Sequence, residues 1–316
     1  MRLLVRLVCA TVAVMAFASG GCTTSSSPGL IFFHTTYSAI GASDAVGVGS
    51  SVPCGTTGSP AIVTPANCPG GKGYVPDLTG LLTNASSQVT LVDLGISGAV
   101  IGPDIETDVN ACGQGATANF ITHEQALVAT NSTLVTIFAG GNDTNGIVRC
   151  AIGIVQGGGN PATFIAGEVT KFGTDYANLI ATIKALAPSA HIFLANLPNF
   201  KLIPVGQAQP AGVQTLLDQV SLAIDVQVIN PLANSPSVTG VVDLLCDPRS
   251  YATGNFSADG FHPDDAGYAI FAQAFNAEVQ SLGATRPAAS CPPFSTADAV
   301  RPLSARDVAG SRLPRM

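Results

Sequence analysis

Tryptophan is absent from this 316-residue chain, and charged residues make up only 10% of it. So little charge, beside 47% hydrophobic residues, excludes a disordered, solvating chain and supplies ample material for a packed core. Cations are scarce: 13 Lys and Arg stand against 20 Asp and Glu, giving a net charge of −7 with no basic cluster. Nucleic acid, whose phosphates demand clustered positive charge, is therefore not an expected partner. No apolar run reaches the roughly 18 uncharged residues that a membrane-spanning helix needs, which excludes a polytopic membrane protein. CxxC pairs and clustered Cys/His spacings are also missing, which speaks against a zinc site. The length allows one large domain or two ordinary ones, and neither a repeat nor a second domain is visible.

The first 21 residues read as an export signal. Arg2 and Arg6 form a positive start, residues 7–18 an apolar stretch, and Ser19-Gly20-Gly21 a run of small residues for cleavage. Cys22 follows at once, before a polar stretch rich in Ser and Thr, so residues 22–34 read as a tether. This arrangement resembles a bacterial lipoprotein signal, in which the first mature cysteine carries the lipid. The resemblance implies a periplasmic or cell-surface lipoprotein that touches the membrane only through Cys22; plain secretion is the alternative. Of the eight cysteines, Cys9 leaves with the signal, and six remain beyond Cys22. An even number in an exported chain argues for three disulfides. Locality alone suggests 54–68, 112–150 and 246–291 among the possible pairings.

From residue 35 onward, short apolar strands alternate with amphipathic helices, the pattern of an α/β fold with a mostly parallel sheet. Strands are expected at Tyr37–Ile40, Val89–Leu94, Leu134–Phe138, His191–Ala195 and Val241–Leu245. Val169, Phe172, Tyr176, Ile180 and Ile183 recur at helical steps, and further helices are expected near 211–229 and 264–282. Residues 50–73 and 143–163, the latter with Gly157-Gly158-Gly159, read as long flexible insertions, and 284–316 as a tail with little to bury. Ligand sites in open α/β sheets gather at the C-terminal ends of the strands.

Four segments at those ends can carry chemistry. After the first strand comes Gly41-Ala42-Ser43-Asp44, where a Ser at a strand-to-helix turn can present its hydroxyl and its own N–H to one atom. After the second comes Gly98, whose N–H could approach a developing oxyanion. After the third comes Gly140-Gly141-Asn142-Asp143, where an Asn amide can donate to an oxyanion and Asp143 could brace the loop. Asp259-Gly260-Phe261-His262-Pro263 precedes the last helix, and an Asp three residues before a His can fix the ring tautomer that leaves Nε2 free as a base. Each segment alone also fits an ordinary turn. His34 lies before the first strand and His191 begins the fourth, both at the end away from this chemistry, and they read as structural; His123, in Thr122-His123-Glu124-Gln125, reads as part of an exposed early helix turn.

Taken together, Ser43, Gly98, Asn142 and the Asp259/His262 pair, in that order at successive strand ends, resemble the SGNH/GDSL-type hydrolases over roughly residues 35–283. Asn196-Leu197-Pro198 is similar to a family loop as well. The resemblance implies a three-layer α/β/α, flavodoxin-like doubly wound sheet of about five mostly parallel strands. It implies a catalytic triad of Ser43, Asp259 and His262, an oxyanion hole of Ser43, Gly98 and Asn142, and no metal or cofactor. The family's first block usually reads Gly-Asp-Ser; here Ala42 takes the Asp position and Asp44 follows the serine. That difference bears on loop bracing or substrate preference more than on hydrolysis. The expected function is an exported, monomeric serine esterase or lipase that cleaves acyl esters of small-molecule, lipid or carbohydrate type. Carbohydrate O-acetyl ester cleavage is the alternative within enzymes, and a non-catalytic binding protein on the same fold is the alternative outside them. Phe200, Leu202 and Ile203 favour an acyl chain over a sugar.

Overall fold

A computed structural model describes residues 34–57, 63–64, 66–83, 87–292 and 302–314. The export signal, Cys22 and most of the tether lie outside the described residues. Five strands form the central sheet: β1 (His34–Gly41), β2 (Gln88–Asp93), β3 (Leu134–Phe138), β4 (His191–Ala195) and β5 (Gly240–Val242). All neighbours run parallel in the order β2-β1-β3-β4-β5. This is the flavodoxin-like doubly wound order expected of the chain, with its switch point between β1 and β3. The central strand explains its own position: Leu134–Phe138 is an unbroken run buried at every residue, as a strand covered on both faces must be.

Helices cover both faces. On one side α1 (Tyr74–Leu82) packs on α6 (Asp265–Gln280) through Tyr74, whose ring stacks on Phe275 with centroids 5.0 Å apart. On the other lie α2 (Pro103–Ala111), α3 (Gly141–Gln156), α4 (Ala162–Leu186) and α5 (Ala211–Ile224). Helix α3 corrects the expectation of a flexible insertion at 143–163. Its opening Gly, Asn and Asp residues have turn chemistry, yet Ile147, Val148, Ala151, Ile152 and Val155 follow at helical spacing and are buried. Only at Gly157 does the helix stop.

Three disulfides join Cys54 to Cys68, Cys112 to Cys150 and Cys246 to Cys291, the pairs that locality suggested. Closing loops of 14, 38 and 45 residues removes unfolded-state entropy worth about 3–4 kcal/mol each. The second ties α3 to the end of α2. The C-terminal stretch also departs from expectation. Val308 is fully buried and Leu313 nearly so, both within the core. Arg149 of α3 donates to the Leu313 and Pro314 carbonyls, the Asn145 amide donates to Pro314, and Gly212 N–H donates to Asp307. Two apolar side chains in a polar stretch were too few to reveal this docking in advance.

Candidate active site

The C-terminal ends of β1, β2, β3 and the loop before α6 meet on one rim. Gly41 closes β1, and a single helical turn, Ser43–Val46, follows it. Beyond that turn Gly47 and Gly49 have positive φ, 76° and 93°. Gly49 is the point of closest approach to the histidine segment: a Cβ there would lie 2.6 Å from the Pro263 carbonyl oxygen and 2.9 Å from His262 Cβ. Only a residue without a side chain allows that contact. The Tyr268 hydroxyl donates to the Val48 carbonyl at 2.6 Å, and Ser51 donates to Asp265 through both its N–H and its hydroxyl at 2.7 Å. The serine turn is thereby stapled to the start of α6, more than two hundred residues away.

Asp259 and His262 form one unit. His262 Nδ1 lies 2.6 Å from Asp259 Oδ2, while Oδ1 accepts from the His262 and Phe261 backbone N–H groups and from the Ser257 hydroxyl. Burial raises the Asp259 pKa, but the hydrogen bonds from His262 and Phe261 outweigh it and hold the carboxyl well below the usual range. Phe261 sets its ring edge-on to the imidazole at 4.9 Å. Asp264 caps α6, accepting from the Ala266 and Gly267 N–H groups, and so anchors the chain just past the histidine.

Gly98 and Asn142 are likewise brought together. The Asn142 side-chain amide donates to the Ala99 carbonyl at 2.7 Å, which leaves its second N–H for another acceptor. Asp143 Oδ1 accepts from Ile101 N–H at 2.9 Å and closes the same loop onto α3. Asp143, expected to brace its own loop, lies in the first turn of α3 and holds the loop after β2 instead. Ser43 itself is 3% exposed, and its hydroxyl has no hydrogen-bond partner among the described residues, His262 included.

Between these loops opens a crevice of about 30 Å3, lined by Asp44, Gly141, Leu197, Phe200, Ile203 and Phe261 among others. Space on this scale holds about two waters. Asp44, next to the serine, faces the charge system: burial pushes its pKa up, and the positive charge of a protonated His262 pulls it back. Of the three apolar residues singled out after the fourth strand, Phe200 and Ile203 line this crevice and Leu202 does not. Asn196 serves the interior, with its amide on Asn230 and Asp243 and its carbonyl oxygen on Leu245 N–H, whereas Leu197 and Pro198 reach the crevice. His34 and His191 sit at the opposite ends of their strands.

One set of residues was not legible beforehand. Glu124, expected in an exposed turn, is fully buried and accepts from Gly41 N–H at 3.2 Å. Asp93 accepts from Gly95 N–H, and Asp225 from Leu197 N–H. Together with Asp143 these carboxyls each spend one oxygen on a backbone N–H of a rim loop, and the other oxygen has no partner among the described residues. Burial raises all four, Asp93 to about 8 and Asp143 to about 7. A carboxyl whose folded-state pKa lies above its unfolded value stabilises the fold fully below the unfolded value, near 4, and loses that contribution as pH climbs through the folded one. The melting temperature is therefore expected to fall by about 5 °C or more between pH 5 and pH 8.5, followed by circular dichroism. Asp93→Asn, which keeps an acceptor for Gly95 N–H, should flatten the slope. A melting temperature that rises over this interval would contradict the assignment.

A family model described as GDSL-like lipase/acylhydrolase matches residues 39–270. Among solved structures, a lipase from a goat rumen metagenome is 17% identical, with a TM-score of 0.50 over 77% of this chain and 96% of its own. Phospholipase A1 of Streptomyces albidoflavus is 18% identical, with a TM-score of 0.53 over 77% of this chain and 98% of its own. At these identities the likeness speaks for the fold. No curated protein matches the chain.

Proposed function

Because the chain belongs to the GDSL-like lipase/acylhydrolase family, we propose that it is an exported serine hydrolase that cleaves carboxylic esters through an acyl-Ser43 intermediate. The observation that carries this reading is the Asp259–His262 pair, 2.6 Å apart, held against the serine turn at Gly49. Ser43 Oγ attacks the ester carbonyl while His262 Nε2 takes its proton, and Asp259 stabilises the imidazolium. The tetrahedral oxyanion is met by the N–H groups of Ser43 and Gly98 and by the free Asn142 amide N–H. Collapse expels the alkoxide, which takes the proton held by His262 and leaves as the alcohol. Water, activated by the same base, then frees the carboxylic acid and regenerates the serine. Three disulfides support an oxidising compartment outside the cytoplasm, with Cys22 as the lipid site if an anchor is present.

The crevice supports a short acyl group. It is narrow and walled by Phe138, Phe200, Phe256 and Phe261, which supports a small acyl group over a long chain. Acetyl esters of carbohydrates satisfy the same limit and form the second reading. A series of p-nitrophenyl esters from acetate to palmitate, run beside acetylated xylan, tests both. The kcat/KM for acetate is expected to exceed that for palmitate by about tenfold or more. A preference for palmitate would overturn the short-acyl reading, and release of acetate from xylan would favour the carbohydrate one.

A further inference from the structure

The turn that carries Ser43 begins without the usual side-chain support. Ala42 stands at its N-cap and offers no side-chain hydrogen bond, where Ser, Thr, Asn or Asp would ordinarily accept from the first turn. The residue before it, Gly41, is instead held from another part of the chain. Its N–H donates to Glu124 Oε2 at 3.2 Å across 83 residues, from a side chain with no exposed surface. Gly41 is also pinned from its other sides: it pairs with Phe138 in the sheet, and a Cβ on it would lie 2.9 Å from the Ala45 Cβ. The backbone leading into the serine thus has few ways to adjust, and its direction is set where Glu124 grips it.

We propose that Glu124 is a positioning residue for the Ser43 nucleophile, acting through Gly41 N–H; the proposal rests on the serine hydrolase reading above. Glu124 touches no substrate atom. Its carboxyl fixes where β1 ends, and so where Ser43 Oγ stands relative to His262 Nε2. Displacement of a reacting group by about 1 Å can cost a hundredfold in rate, so a modest slackening of this grip should be measurable. Burial pushes the Glu124 pKa well above the usual range, the hydrogen bond from Gly41 opposes this, and Asp93 at the end of β2 adds to the rise. Glutamine keeps a carbonyl oxygen at the same reach, able to accept the same Gly41 N–H.

The test is the rate at which a fluorophosphonate labels residue 43, measured on the full chain with the location verified by peptide mapping. In that reaction Ser43 Oγ bonds to phosphorus, fluoride leaves, and His262 takes the hydroxyl proton, so the rate reports nucleophile placement without an assumed substrate. Glu124→Ala is expected to slow labelling, and to lower kcat for a p-nitrophenyl ester, by about tenfold or more with little change in KM. Glu124→Gln should restore most of both rates. Wild-type labelling in Glu124→Ala, or a Glu124→Gln variant as impaired as Glu124→Ala, would overturn the proposal. If Glu124→Ala does not fold, Glu124→Met fills the same space without an acceptor and carries the same expectation. Failure of the wild-type protein to label at residue 43 would instead count against the nucleophile itself.

Discussion

Ser43→Ala is expected to lower ester turnover by about a million-fold while leaving the fold in place. The first half follows from the role assigned to the hydroxyl: without Oγ no acyl-enzyme can form, and what survives is the water reaction aided by the oxyanion donors alone. The second half follows from the structure. The Ser43 hydroxyl has no hydrogen-bond partner among the described residues, so its removal breaks no bond and strands no buried group. The turn keeps its backbone hydrogen bonds, with Val48 N–H donating to the Ser43 carbonyl at 2.9 Å. The melting temperature should then stay within about 2 °C of the wild type, since exposed or unbonded polar atoms contribute little. His262→Ala should be comparably severe, and the double variant no worse than either single one, because the two groups act as one unit. Turnover in purified Ser43→Ala within about tenfold of the wild type, after exclusion of contaminating esterase, would remove Ser43 from the mechanism. Multiplying losses in the double variant would show that Ser43 and His262 act apart.

What the sequence disclosed here was mainly local, and what it hid was mainly distant. The edges of β3 and β4 are readable because their residues are apolar on both faces, which few other environments tolerate. Asp259 and His262 are readable for a similar reason, since a three-residue spacing across a tight turn places acid and imidazole together whatever the rest of the chain does. Helix α3 was obscured because its first turn has the composition of a loop, and the glycines that suit a turn also suit close approach by substrate. Glu124 could not have been found this way. Its partner lies 83 residues off, and a Glu beside a His and a Gln reads as surface until the fold buries it. Asp44 was noticed as a departure in the serine block, but its place on the crevice wall depends on four separate loops converging.

Asp259→Asn is expected to lower kcat by about ten-thousand-fold with the loop geometry intact. The carboxylate does two separable jobs. Oδ1 organises the loop by accepting from Phe261 N–H, His262 N–H and the Ser257 hydroxyl, and an asparagine oxygen in the same place can accept all three. Oδ2 accepts from His262 Nδ1–H at 2.6 Å, and asparagine would put an NH2 group there. Two donors cannot face each other, so Nδ1 must give up its proton and accept, which moves the proton to Nε2. The ring is then in the tautomer that cannot take a proton from Ser43, although its position has hardly changed. Charge is lost too, since the hydrogen bonds that keep Asp259 ionised, against the cost of burial, also make it available to stabilise the imidazolium. The signature is a collapse in kcat with KM within about threefold, because Asp259 touches no substrate. Asp259→Ala should lose the same factor and, unlike the asparagine variant, also destabilise the fold, as three donors lose their acceptor. Equal melting temperatures for the two variants would show that Oδ1 organises nothing, and wild-type kcat in Asp259→Asn would show that His262 does not depend on this carboxylate for its tautomer.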